Sequence, residues 1–402
     1  MRRNLLILVM LIPLLSIDLS AKAEKPDSTR WIYWTPFATT IGAGDGYVFR
    51  PRTARKYNIT FPAFQSISAS LLFTSNRNTL IDTLFGKPYF GIGVYKPFFH
   101  KSELLGDPAS IYIIYGLNIY QLSDELTLSA EAKLGTSFGW NPYDSNTNHE
   151  NRIIGAKNNY HAGLDIFLKY RINNYLQIRA GATYSHFSDG AYRLPNAGLN
   201  TLGGFADLMV TFKDRLQLDK HSKAARKVKP HVEYDLGISC SSRQILGDVE
   251  NSNSTVILNH SFKAVDLSTY AMYVRSRYLR MGVGVHLIYD ESSNVTATRT
   301  INEETATIVN SYEPSSSRER FAAGVFGKVE LPMGYVNGVI DYGYILTPQL
   351  SSNSFSRLNL GLKSYVYRGI NASFGIQITP KNKANCVFLG IGYTFNYYSL
   401  FR

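Results

Sequence analysis

The chain has 402 residues, of which 45% are hydrophobic, 18% charged and 13% aromatic, with 28 Tyr, 22 Phe and 2 Cys. That composition is too apolar for disorder and too poor in cysteine for a disulfide scaffold. Beyond the N-terminal stretch, no apolar run reaches the ~18 residues of a membrane-spanning helix. The formal charge of +12 suits an anionic partner, phosphorylated lipid or nucleic acid, without choosing between them.

Residues 1–23 read as a cleavable export signal. Arg2 and Arg3 form the basic start, Leu5 to Ile17 the apolar core, and Ala21-Lys22-Ala23 a small-residue cleavage site. The core is too short to favour the alternative, a permanent membrane anchor. No cysteine near the cut is available to carry a lipid, so the mature chain is expected to begin near Glu24, outside the cytoplasm.

From there the chain alternates with a period of two. Strands are expected near 32–47, 60–74, 88–99, 109–121, 125–138, 159–171, 175–188 and 200–213, then near 230–242, 261–274, 278–290, 320–331, 335–347, 355–367, 370–379 and 386–398. Gly42-Ala43-Gly44-Asp45-Gly46, in the first of them, is only superficially a phosphate loop, since no Lys or helix follows. In 126–138, Leu126, Leu128, Ala130, Ala132, Leu134 and Phe138 oppose Ser129, Glu131, Lys133 and Ser137. In 160–171, Tyr160, Ala162, Leu164, Ile166, Leu168 and Tyr170 oppose His161, Gly163, Asp165, Lys169 and Arg171, with Phe167 as the exception. The last segment sets Val387, Leu389, Ile391, Tyr393, Phe395 and Tyr397 against Gly390, Gly392, Thr394 and Asn396. The chain is all-β.

Connections separate a membrane barrel from a secreted sandwich or propeller, which would alternate too. Tight turns at 122–124, 172–174, 275–277, 332–334 and 368–369 alternate with long polar loops at 139–158, 189–199, 243–260 and 291–319. Short turns at one end, long loops at the other and interfacial aromatics are the mark of an antiparallel transmembrane β-barrel. Residues 214–229, rich in Lys, Arg and His, break the pattern and divide 24–213 from 230–402. Read as a periplasmic turn, this segment belongs to one barrel of about 16 strands, the simpler arrangement; read as a linker, it joins two eight-stranded barrels. In either, the inward charges Glu131, Lys133, Asp165, Arg179 and Asp207 must pair or reach water.

Strand 175–188 carries the candidate chemistry. Its apolar face holds Ile178, Ala180, Ala182 and Tyr184, and the same parity brings His186 and Ser188 onto the lipid side. Their i, i+2 spacing suits an imidazole that takes a proton from a hydroxyl. The strand runs upward, so the pair is expected at the long-loop end, level with the outer leaflet. The bland alternative is two polar residues at a strand end.

His186-Phe187-Ser188, followed at short range by Pro195-Asn196-Ala197-Gly198, resembles the signature of the lipid A 3-O-deacylases, outer-membrane acyloxyacyl hydrolases of the PagL type. Trp140-Asn141-Pro142-Tyr143-Asp144 with Thr147-Asn148-His149-Glu150-Asn151 is similar to a longer branch of that family found in Bacteroidetes. The resemblance implies an outer-membrane serine esterase that removes the 3-O acyl chain from lipid A of lipopolysaccharide, without metal or cofactor. It implies Ser188 as nucleophile, His186 as general base, and Asn200 in the place of the triad's acidic member. Gly190 and Asn196 are candidate donors to the oxyanion. The family's Asn after the serine is Asp189 here, expected on the opposite face; Asn200 lacks the charge of the family acid, and Asp144 or Glu150 is a candidate substitute.

Cys240 falls with outward residues and Cys386 opposite Val387 and Leu389, so no disulfide is expected. The histidines show no metal spacing, and His161 reads as an inward polar residue. The basic residues do not form an aromatic platform for nucleic acid, so the expected partners are the membrane and lipopolysaccharide. The competing functions are a non-catalytic channel and a barrel that binds lipopolysaccharide without cleaving it.

Overall fold

The computed structural model describes residues 34–56, 58–75, 80–212, 228–249, 255–302, 307–346, 356–379 and 385–396. The expected export signal and most of the basic segment 214–229 lie outside the described residues. The chain divides into two compact units, one of residues 1–189, 196–225 and 400–402, the other of residues 190–195 and 226–399.

The first unit is a closed antiparallel barrel of β1 (Trp34–Phe49), β2 (Phe64–Ser75), β3 (Tyr89–Phe98), β4 (Gly106–Gln121), β5 (Leu126–Trp140), β6 (Asn158–Arg171), β7 (Leu176–Ser188) and β8 (Leu199–Thr211). β8 returns to β1, in register from Ala38 opposite Thr211 to Phe49 opposite Asn200, which leaves no free edge. Short helices α1 (Arg52–Lys56), α2 (Leu80–Leu84) and α3 (Ser102–Leu105) lie in the connections. One end has tight turns: Leu122 and Ser123 both donate their N–H to the carbonyl of Leu126, and Asn173 Oδ1 accepts the N–H of Tyr175 and Leu176. Exposed Tyr47, Phe49, Phe98 and Phe138 ring the other end, while Tyr120, Tyr170, Tyr175 and Phe212 ring the turns. Two aromatic girdles around an apolar wall are what a bilayer selects.

Inside, the charges pair. Arg179 donates Nε and Nη2 to the two Asp207 oxygens, each at 2.7 Å, and Nη1 to Glu131 Oε1 at 2.6 Å. Tyr89 donates its hydroxyl to the same Glu131 oxygen at 2.6 Å, and Lys133 pairs with Asp165. Phe167, the exception to the outward pattern, lies inside with the Arg179 guanidinium 4.8 Å above its ring. Fully satisfied ions are the condition under which such a lumen is tolerable.

The second unit closes in the order β10-β11-β14-β15-β16-β17-β18-β9, from β9 (His231–Asp248), β10 (Thr255–Ser276), β11 (Leu279–Asp290), β14 (Phe321–Pro332), β15 (Val336–Ile345), β16 (Ser356–Tyr367), β17 (Ile370–Ile378) and β18 (Cys386–Phe395). Its lumen too is ionic, with Lys363 Nζ 2.8 Å from both Asp235 and Glu330. The strands thus take the second of the two arrangements the sequence allows: two eight-stranded barrels instead of one ring of sixteen. At eight strands the interior is just wide enough for side chains to fill it; long inward Arg, Lys and Tyr residues reach across the first lumen, while the second keeps a cavity between Asp235, His286, Glu330, Arg357 and Lys363.

Two connections differ from the loops expected. Residues 291–319 contain a hairpin of β12 (Thr296–Asn302) and β13 (Thr307–Glu313), whose threonines and valine favour extended backbone. β9 and β10 run past the expected ends on either side of 243–260, carried by a small apolar cluster of Ile245, Val256, Leu258, Phe262 and Ala297. Cys240 is exposed, Cys386 buried and neither is in a disulfide. The Gly42–Gly46 stretch is plain strand within β1.

Candidate active site

The candidate residues meet on β7, β8 and the connection between them. Parity puts Arg179, Ser185 and Phe187 inside, so Tyr184, His186 and Ser188 project from the outer wall at the long-loop end of the first barrel. Successive outward residues on a strand are about 6.8 Å apart. Antiparallel pairing sets His186 opposite Asn200 and Ser188 opposite Tyr160.

His186 Nδ1 lies 2.7 Å from Asn200 Oδ1. An amide oxygen only accepts, so the imidazole proton resides on Nδ1 and the Nε2 lone pair is free. The Tyr184 hydroxyl donates to the same Asn200 oxygen at 2.6 Å. Two donors therefore converge on Oδ1 and fill its acceptor capacity. Ser188 Oγ accepts a hydrogen bond from Asn196 Nδ2 at 2.8 Å. Asn196 thus stands where a donor is wanted, beside the oxygen of the expected nucleophile.

Gly190 opens the β7–β8 connection at φ +68°, and Gly198 ends it at φ +72°. At Gly198 the geometry excludes a side chain: a Cβ there would lie 2.8 Å from His186 Cε1 and 3.5 Å from Nε2. Asp189, just past the end of β7, is buried.

The inward neighbours hold the wall. Phe187, between His186 and Ser188, stacks on His161 at 4.5 Å and packs against Trp140 at 5.3 Å. Leu199, next to Asn200, joins the same core with Ile153 and Ile154, all fully buried. His161 is an inward residue, its Nε2 3.1 Å from Ser185 Oγ.

The two acidic substitutes do not join the site. Asp144 is exposed, and its Oδ1 accepts the N–H groups of Asn146 and Thr147 at 2.8 and 2.9 Å. Those N–H groups, Thr147 first, hold its carboxyl below the usual carboxylate range. It is the residue of an Asx turn. Glu150 is likewise exposed. Sequence reasoning gave Tyr184 no role and quoted Gly198 only within the signature, although parity already stacks Tyr184 beneath His186. Among the described residues, no group of three or more His, Cys, Asp or Glu is arranged to hold a metal.

The model of the family described as lipid A 3-O-deacylase (PagL) matches residues 90–208, and that described as acyloxyacyl hydrolase, C-terminal domain, matches residues 232–397. Together these matches span more than half the chain. The chain belongs to the lipid A 3-O-deacylase (PagL) family. As a member it is an outer-membrane β-barrel and an ester hydrolase directed at lipid A. Among solved structures, the outer membrane enzyme PagL is 12% identical, covering 42% of this chain and 97% of its own, with a TM-score of 0.27. Neisserial surface protein A (NspA) is 11% identical over 44% and 97%, with a TM-score of 0.29. The siderophore receptor PirA from Acinetobacter baumannii is 8% identical over 91% and 81%, with a TM-score of 0.23. No curated protein matches the chain.

The hydrogen bond from Tyr184 to Asn200 has a measurable consequence. Tyr184→Phe frees the Asn200 amide to rotate, and one neutral hydrogen bond is worth about 1 kcal/mol. The expected result is a fall in kcat of about fivefold on lipid A with KM unchanged, measured on the purified, folded barrel.

Proposed function

We propose that this deacylase cleaves the 3-O acyl ester of lipid A through an acyl-enzyme on Ser188, with His186 as general base and Asn200 orienting it. Ser188 Oγ attacks the ester carbonyl and its proton passes to His186 Nε2. The carbonyl oxygen of the tetrahedral intermediate accepts a hydrogen bond from Asn196 Nδ2. Collapse breaks the bond to the sugar oxygen, which takes the proton from His186 and leaves. Water, deprotonated by the same imidazole, then frees the fatty acid and regenerates Ser188 Oγ–H.

One observation carries this reading. An imidazole with its Nδ1 proton held by an amide oxygen, and a serine hydroxyl already touched by an amide donor, stand two residues apart on the outer wall at the long-loop rim. The scissile ester lies just below the sugar headgroup, so an outward pair at that depth reaches it with the lipid still in the leaflet. No group in the reaction calls for a metal or cofactor.

The test uses the purified barrel in detergent with lipid A and, separately, with a fluorophosphonate that traps activated serines. Release of one 3-hydroxy fatty acid, lipid A lighter by that chain, and an adduct on the peptide carrying Ser188 are expected. Unchanged lipid A in the presence of folded protein would leave a barrel that binds lipopolysaccharide without cleaving it. An adduct on another serine would move the active site elsewhere.

A further inference from the structure

We propose that the β5–β6 connection, residues 141–157, braces the catalytic imidazole, and that Asn151 is the positioning residue on which this brace depends. The inference rests on His186 being the general base. Asn151 is fully buried and its amide is saturated. Nδ2 donates to the carbonyls of Leu104 at 2.9 Å and Asn141 at 2.6 Å, and Oδ1 accepts the N–H groups of Ile153 and Ile154, both at 3.2 Å. Asn148 doubles the clamp, its Nδ2 within 3.0–3.1 Å of the carbonyls of Leu104, Asn141 and Pro142.

The clamp fixes Ile153, whose side chain is sunk in the core beside Phe187 and Leu199 and whose carbonyl accepts the Gly198 N–H at 3.0 Å. Gly198 in turn faces the Cε1–Nε2 edge of His186, the edge that must exchange protons, too closely for any side chain between them. Asn200 therefore holds the ring at Nδ1 while Gly198, fixed through Ile153 by Asn151, limits it at the opposite edge. A ring confined from both sides keeps Nε2 in one direction; a ring confined only at Nδ1 can swing about that hydrogen bond. A misplacement of about 1 Å costs of the order of a hundredfold in rate. This also gives the Asn141–Asn151 stretch a use: its asparagines, not its acids, serve the site.

The experiment compares wild type, Asn151→Ala, Gly198→Ala and the double variant as purified barrels, with folding checked by heat-modifiable migration and activity measured on lipid A. Asn151→Ala is expected to lower kcat about tenfold, and Gly198→Ala about a hundredfold, with KM within twofold of wild type in each. Because both act through one contact on the ring, the double variant should be no slower than Gly198→Ala alone. Independent, merely structural damage would multiply, and a multiplied loss overturns the proposal, as does a wild-type kcat in either single variant. If Asn151→Ala does not assemble, Asn151→Ser, which removes the amide donors with a smaller change in the core, takes its place under the same split of kcat from KM. An inactive wild type would instead indict the assignment of Ser188 and His186, so the two failures are distinguishable.

Discussion

Lipid A from cells expressing Ser188→Ala is expected to keep every acyl chain, while wild type yields a population lighter by one hydroxyacyl group. Removing the nucleophile of an acyl-transfer site costs about 10^4–10^6-fold in kcat, far more than expression can offset. The change is small, since Ser188 occupies the end of β7 and only half-buries its hydroxyl on the outer wall. Asn196, which is only half-buried, then loses its acceptor at 2.8 Å. Folding is therefore expected to survive, with heat-modifiable migration and surface exposure as controls. His186→Ala should lose about as much, and the double variant no more than either alone, because nucleophile and base act as a unit. Identical mass spectra from wild type and Ser188→Ala would remove the serine mechanism.

Parity along one strand was enough to place the pair on the outer wall, and the resemblance gave it a role. In β7, Ile178, Ala180, Ala182 and Tyr184 set the outward phase, and a period of two carries it to His186 and Ser188 without any tertiary information. The inward Glu131, Lys133, Asp165, Arg179 and Asp207 were legible in the same way. Closure was not. Whether β8 turns back to β1 depends on pairs such as Phe49 with Asn200 and on how completely Arg179, Tyr89 and Phe167 fill the lumen. None of that is encoded in a local alternation, so one ring and two remained open until the pairing was seen. The β12–β13 hairpin hid in 291–319 because its strands are short and rich in Thr, Asn and Ser, the residues that also mark loops. At the site, the resemblance led to Asn200, and register placed it opposite His186. The role of Asn151 stayed hidden for a different reason. Its four hydrogen bonds reach to Leu104, Asn141, Ile153 and Ile154 through main-chain groups, which every residue type offers equally.

Asn200→Asp is expected to make a faster enzyme. In the resting barrel, Asn200 Oδ1 is a dipole that orients the imidazole but adds little when the ring becomes positive. A carboxylate of the same size keeps both contacts, since Tyr184 and His186 each donate to that oxygen. It adds a full negative charge about 4–5 Å from the imidazolium, worth about 3–4 kcal/mol at an effective dielectric of 20. Part of that gain is cancelled by desolvating the carboxylate beside lipid, although two hydrogen bonds to it limit the cost. The remainder supports an increase in kcat of about 10–100-fold on lipid A. Asn200→Leu, which can neither accept nor orient, should lose about as much as His186→Ala. The two substitutions bracket the position. A rise with Asp and a collapse with Leu mean that the ring is held from Asn200 and that the imidazolium lies on the reaction path. Equal rates for Asn, Asp and Leu would mean that the 2.7 Å hydrogen bond orients nothing that matters to the ester. The brace from Gly198 would then be the contact that sets the direction of Nε2.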